Sequence, residues 1–156
     1  MTTQTDSSSP AIRDGGGALI LSGEAAPGQL VARAREAALV LADVVRTCKL
    51  SSKISGRDYV RVEGWQTLGA MLGLFTEVEW SRKTETGWEA RAVAKAANGR
   101  VISAGEASCD HSEQNWIGRP DFALRSMAQT RACGKALRNP LAWIMSLAGY
   151  EGTPAE

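Results

Sequence analysis

The pair Asn98-Gly99 is the strongest hairpin signal in this chain, and it constrains the fold more than any other dipeptide. Asn and Gly tolerate the positive φ that tight strand reversals require. The pair lies between two β-prone runs, Trp88 to Ala97 and Arg100 to Cys109. Thr86-Gly87 marks an earlier turn, and Phe75, Val78 and Trp80 lie in a third run reaching about Glu85. Consecutive strands joined by short turns pair with each other, so the spacing predicts an antiparallel three-stranded meander.

The flanking segments have a different period. From Gln29 to Cys48, Leu30, Ala34, Ala37, Ala38, Leu41, Val44 and Val45 recur at helical steps. Lys49 to Ser55 and Tyr59 to Val62 read as short strands around the turn Gly56-Arg57-Asp58. Trp65, Leu68, Met71 and Leu72 after Gly64 predict a short helix with Gly73 as its C-cap. Residues 110 to 120 read as a loop, after which Asp121 is placed to cap a helix from Phe122 to Asn139. Pro140 predicts a kink or a break before Leu141 to Leu147.

The expected class is α+β. An N-terminal helix precedes an antiparallel β-sheet (hairpin, short helix, three-stranded meander) packed against a long C-terminal helix. Residues 1–24 are rich in Thr, Ser, Gly and Asp and read as a flexible tail. Residues 25–150 form the single folded domain, and residues 151–156 a C-terminal tail.

At 156 residues the chain can bury a core without a staple or a metal. Three cysteines, Cys48, Cys109 and Cys133, with no CxxC pattern, argue against a disulfide framework and for a reducing compartment. The polar first ten residues carry no secretory signal, and no apolar run is long enough to span a membrane. The expected location is cytoplasmic.

Neither a P-loop nor a strand–GxGxxG–helix unit occurs, and Gly15 to Gly17 sit in the polar tail. Cys109 and His111 stand two apart, but paired zinc-ligand spacing is missing, so they read as a strand-end thiol and a loop imidazole. Glu77 and Glu79 alternate on one strand and are the candidate carboxylates of a metal-dependent nuclease. Interleaved with Arg82, Lys83 and Arg91, they read more simply as a cross-paired, solvated face.

The formal charge is only +1, so a polyanion partner requires local clustering. Arg119, Arg125, Arg131, Lys135 and Arg138 face a single acid, Asp121, in the span 119–138. Arg131, Lys135 and Arg138 fall within about 60° on a helix. A phosphate backbone would offset their mutual repulsion. Arg82, Lys83, Arg91, Lys95 and Arg100 form a second basic set near the hairpins. Lysines and arginines there also block edge pairing. Of the five tryptophans, Trp65, Trp88 and Trp116 are candidates for base stacking. Trp65 and Trp143 fit helical apolar patterns and read as core.

Two segments bear a family likeness. Tyr59-Val60-Arg61-Val62-Glu63-Gly64-Trp65, followed by Leu68, Met71, Leu72 and Gly73, resembles the strand–helix segment of the Rad-fifty-two superfamily of single-strand annealing proteins. Thr130-Arg131-Ala132-Cys133-Gly134-Lys135-Ala136-Leu137-Arg138 resembles the end of that family's long helix. The likeness covers about residues 48 to 145, and small phage-encoded annealing proteins match best in size. It implies a β-β-α-β-β-β-α core assembled into a ring or open helix. Single-stranded DNA would lie in a basic groove and be annealed without ATP. Lys135 and Arg138 carry over as groove residues. Two positions that are basic in some members are Gly134 and Gln66 here.

Single-stranded DNA binding and annealing in recombination and repair is therefore the expected function, without an enzymatic step or a cofactor. The candidate contacts are Arg131, Lys135, Arg138, Arg82, Lys83, Arg91 and Lys95. The expected partners are single-stranded DNA, further copies of the chain, and an exonuclease or single-strand binding protein, with no membrane. The alternatives are a small phage accessory module that binds a host protein, and the nuclease.

Overall fold

The computed structural model describes residues 25–151. The expected N-terminal tail, 1–24, and residues 152–156 of the C-terminal tail lie outside that range. Helix α1 (Pro27–Thr47) is followed by a hairpin of β1 (Ser51–Ile54) and β2 (Arg57–Val60). Helix α2 (Val62–Met71) leads into the strands β3 (Leu74–Lys83), β4 (Gly87–Ala96) and β5 (Val101–Asp110). A single 3-10 turn, Gln114–Trp116, precedes helix α3 (Asp121–Leu147). The fold is α+β, with the β1-β2 hairpin and the antiparallel β3-β4-β5 meander as two separate sheets.

Alternation along the strands sets the layers. Ala90, Ala92 and Ala94 of β4 are buried towards the helices, while Arg91 and Lys95 take the outer face. Helix α3 meets this inner face with Ala128, Ala132 and Ala136, all fully buried and four residues apart. Small residues on both sides let helix and sheet approach closely. The approach is tightest at Gly105 of β5, where an added Cβ would stand 2.6 Å from the Ala136 amide nitrogen and 2.9 Å from the Ala132 carbonyl oxygen. Larger side chains, Leu124, Leu137, Leu141, Ile144 and Met145, extend the core along α3 to Leu41 and Val45 of α1 and to Trp65 and Leu68 of α2.

Several expectations need correction. The first hairpin turns at Ser55-Gly56, and Arg57 and Asp58 belong to β2, opposite Ile54 and Lys53. Both turn residues have positive φ, 48° and 81°, which matches the right-handed twist of a two-residue hairpin loop. Gly87 opens β4 rather than sitting in the preceding turn, and its carbonyl accepts the Thr84 N–H at 2.9 Å. At the second meander turn only Gly99 is left-handed (φ 83°), and the Gly99 N–H reaches the Ala96 carbonyl at 2.8 Å.

Asp121 does not cap α3. Pro120 occupies the N-cap, and the Asp121 carboxylate accepts from Lys83 Nζ at 2.6 Å, tying the helix start to the end of β3. Its position in the first turn still suits the positive end of the helix dipole. Nor does Pro140 break the helix, which continues to Leu147. Proline forfeits one backbone hydrogen bond. Buried Leu137 and Leu141 on either side hold both turns against the core. Glu151, expected in the tail, pairs with Tyr59 and donates its N–H to the Asp58 carbonyl at 3.3 Å.

Candidate nucleic-acid interface

An open groove of about 870 Å³ runs along α3. One wall is the edge of β5 at Glu106, Ala107 and Ser108, and the other is the junction of β2 and α2 from Val60 to Glu63. Met127, Thr130, Arg131, Gly134, Lys135 and Arg138 of α3 line it between them. Helical spacing therefore brings Arg131, Lys135 and Arg138 together in one groove. Gly134 leaves room beside them, since a Cβ there would meet only Val62 Cγ2 at 3.6 Å.

The three cations differ in their surroundings. Arg131 is engaged twice over: its two terminal nitrogens donate to the Glu113 carboxylate at 2.7 and 2.6 Å, and Nη1 also donates to the Ser108 carbonyl. This fork holds the Glu113 carboxyl below the usual carboxylate range and raises the Arg131 guanidinium further. Lys135 and Arg138 have no acidic partner among the described residues.

Arg61, which sequence reasoning did not select, is a third groove cation without a carboxylate partner among the described residues. Its guanidinium donates to the Lys49 carbonyl, and its own N–H donates to the Leu50 carbonyl at 2.8 Å. These bonds tie the α2 entrance to the end of α1. The available signal was its place between Tyr59 and Gly64, in the first of the two segments that carry the family likeness.

The basic set on the sheet is placed elsewhere. Arg91 bridges Glu79 at 2.7 Å and Glu106 at 2.8 Å, which raises its pKa. Lys95 pairs with Glu77 at 2.7 Å, and Arg82 pairs with Glu89 while stacking 4.4 Å from the Trp80 ring centroid. Lys83 is held by Asp121, whose carboxyl it keeps below its ordinary pKa. Arg82, Lys83, Arg91 and Lys95 are thus outside the groove lining, each with a carboxylate partner. Glu77 and Glu79, the candidate nuclease acids, each hold one of these cations. Glu79 is the extra residue of an irregularity between Val78 and Trp80; the register sets Trp80 opposite Arg91, and Glu79 reaches the Arg91 guanidinium from beside it.

Trp65 is buried as expected, but Trp143 is 40 % exposed, with its indole N–H donating to the Pro140 carbonyl at 3.1 Å. Trp88 and Trp116 are half-buried against the core, and Arg125 lies over Trp88. Cys109 is fully buried, which pushes its thiol pKa up, and His111 is exposed with Nδ1 3.2 Å from the Trp116 carbonyl oxygen. Among the described residues no group of three or more His, Cys, Asp or Glu is arranged to hold a metal ion. No described helix is long and apolar enough to cross a membrane. Comparisons with protein-family models, with curated proteins and with solved structures find no match.

Proposed function

We propose that this protein binds single-stranded DNA along the α3 groove and anneals complementary strands without hydrolysing a nucleotide. One observation carries the reading: Arg61, Lys135 and Arg138 line a single groove with no carboxylate bound to any of them among the described residues. Glu63, Glu106 and Glu113 also line the groove, but none of them pairs with these three cations. Cations held close together without ion-pair partners repel one another, and a sugar-phosphate chain relieves that repulsion while releasing its condensed counterions. The likeness of residues 48 to 145 to single-strand annealing proteins supports the same assignment.

A few cations per subunit bind weakly, so annealing requires several grooves in register. Assembly side by side multiplies the contacts through effective concentration. In the described fold no strand pairs with the outer edge of β3, which leaves ten residues of edge as an assembly surface. The test is titration of a fluorescent oligothymidylate by anisotropy at several salt concentrations, with light scattering of the same samples. Salt-sensitive binding that is lost in a Lys135→Ala/Arg138→Ala double variant supports the assignment. Binding unchanged in that variant, or no binding by the parent protein, overturns it.

A further inference from the structure

Arg131 shares the groove with Lys135 and Arg138, yet its guanidinium is already occupied by a carboxylate from the loop between β5 and α3. Glu113 is well built for that contact. It is half-buried, presents both oxygens to Arg131, and accepts the Asp110 N–H through Oε1 at 3.2 Å. The loop is further shaped by Ser112, whose N–H donates to Asp110 Oδ1 at 2.7 Å, and by the His111 contact to the Trp116 carbonyl. The Glu113–Arg131 fork is the one ion pair linking this loop to α3 among the described residues.

We propose that Glu113 is a resident competitor for phosphate, a carboxylate that occupies the Arg131 subsite until nucleic acid displaces it. The inference rests on the nucleic-acid reading of the groove and deepens it by naming a regulatory contact within that site. A carboxylate and a phosphate make the same two-point contact with a guanidinium. An arriving strand would dock first on Lys135 and Arg138 and then exchange Glu113 for a phosphate oxygen. Exchange removes the salt bridge anchoring residues 111–119, so strand binding and loop release are linked. A short or isolated phosphate, unable to reach Lys135 and Arg138 together with Arg131, would leave the pair closed.

The test compares the parent protein with Glu113→Gln, a substitution that keeps the amide-accepting oxygen for Asp110 and removes the competing charge. Oligothymidylate affinity is read by anisotropy across a salt series, and amide exchange of residues 111–119 is read with and without the oligonucleotide. Glu113→Gln should bind about threefold to tenfold tighter, and its log–log salt slope should steepen by about 0.7, as for one further phosphate contact on a single strand. In the parent protein, exchange in residues 111–119 should accelerate on binding while the groove residues of α3 become protected. If the parent protein binds and Glu113→Gln matches it in affinity and slope, or the loop becomes more protected on binding, the competitor role is overturned and the groove reading stands. If neither protein binds, the groove reading falls and the competitor with it. Binding by Glu113→Gln alone also overturns the proposal, since a carboxylate that no strand displaces is a permanent block and not a competitor.

Discussion

The outer face of the meander and the groove along α3 carry the same kinds of charge and keep them in different states. On the sheet, residues directly opposite one another stand about 4.5–5.5 Å apart, so a glutamate faces an arginine or lysine wherever the register brings them together. Arg82 opposite Glu89 and Arg91 opposite Glu106 are neutralised in this way, and Lys95 reaches Glu77 on the diagonal. On α3 the cations Arg131, Lys135 and Arg138 follow one another along a single helix, and among the described residues the one acid that pairs with them, Glu113, reaches only Arg131. Binding potential therefore follows from the unneutralised positions and not from the count of basic residues. A chain with a formal charge of +1 can still present, in one groove, cations that hold no carboxylate among the described residues.

The contrast depends first on the seat of α3 against β5. Gly105→Ala should lower unfolding stability by about 2–3 kcal/mol in urea titrations, because the new methyl meets backbone atoms of α3 that cannot move aside. A change under about 0.5 kcal/mol would mean that the helix shifts freely and does not define the groove wall. Next in size, Lys135→Ala/Arg138→Ala should weaken oligonucleotide binding about tenfold or more at 0.1 M salt, and reduce the salt slope by about 1.4. Its stability should stay within about 0.5 kcal/mol of the parent, since among the described residues neither side chain has an ion-pair partner to lose.

Gly134→Lys tests the groove by gain. Space exists beside Val62, so replacing a mid-helix glycine should stabilise α3 by up to about 1 kcal/mol in thermal denaturation. The added cation should tighten oligonucleotide binding about threefold. The Glu113–Arg131 pair predicts a pH effect. Because the folded pKa of Glu113 is depressed, its stabilisation is fully present above the unfolded carboxylate value of about 4.3 and fades as pH falls through the lower folded value. Melting curves of Glu113→Gln should therefore depend less on pH below about 4.3 than those of the parent. The smallest expected effect is the most discriminating for the two surfaces. Arg91→Ala should leave oligonucleotide affinity within about twofold, because its charge is already balanced by Glu79 and Glu106. A loss as large as that of the α3 double variant would move the binding surface onto the sheet.

The order of elements and the α+β class were legible along the chain, because hydrophobic period and turn chemistry are local properties. Asn98-Gly99 located a reversal, and the steps from Ala34 to Val45 located the buried stripe of α1. The common face of Arg131, Lys135 and Arg138 also followed from helical geometry alone. The helix through Pro140 was not legible, since it is the buried leucines on both sides that compensate for one missing hydrogen bond. The partners of the charges were equally hidden. Arg61 meets Lys135 and Arg138 across more than seventy residues of sequence, and Glu113 reaches Arg131 from a loop whose path depends on the preceding strand. Residue type and spacing set which groups were cationic and which lay on one side of a helix. Folding in three dimensions assigned each of them a carboxylate or left it without one, because Coulomb attraction acts on distance in space and not on distance along the chain.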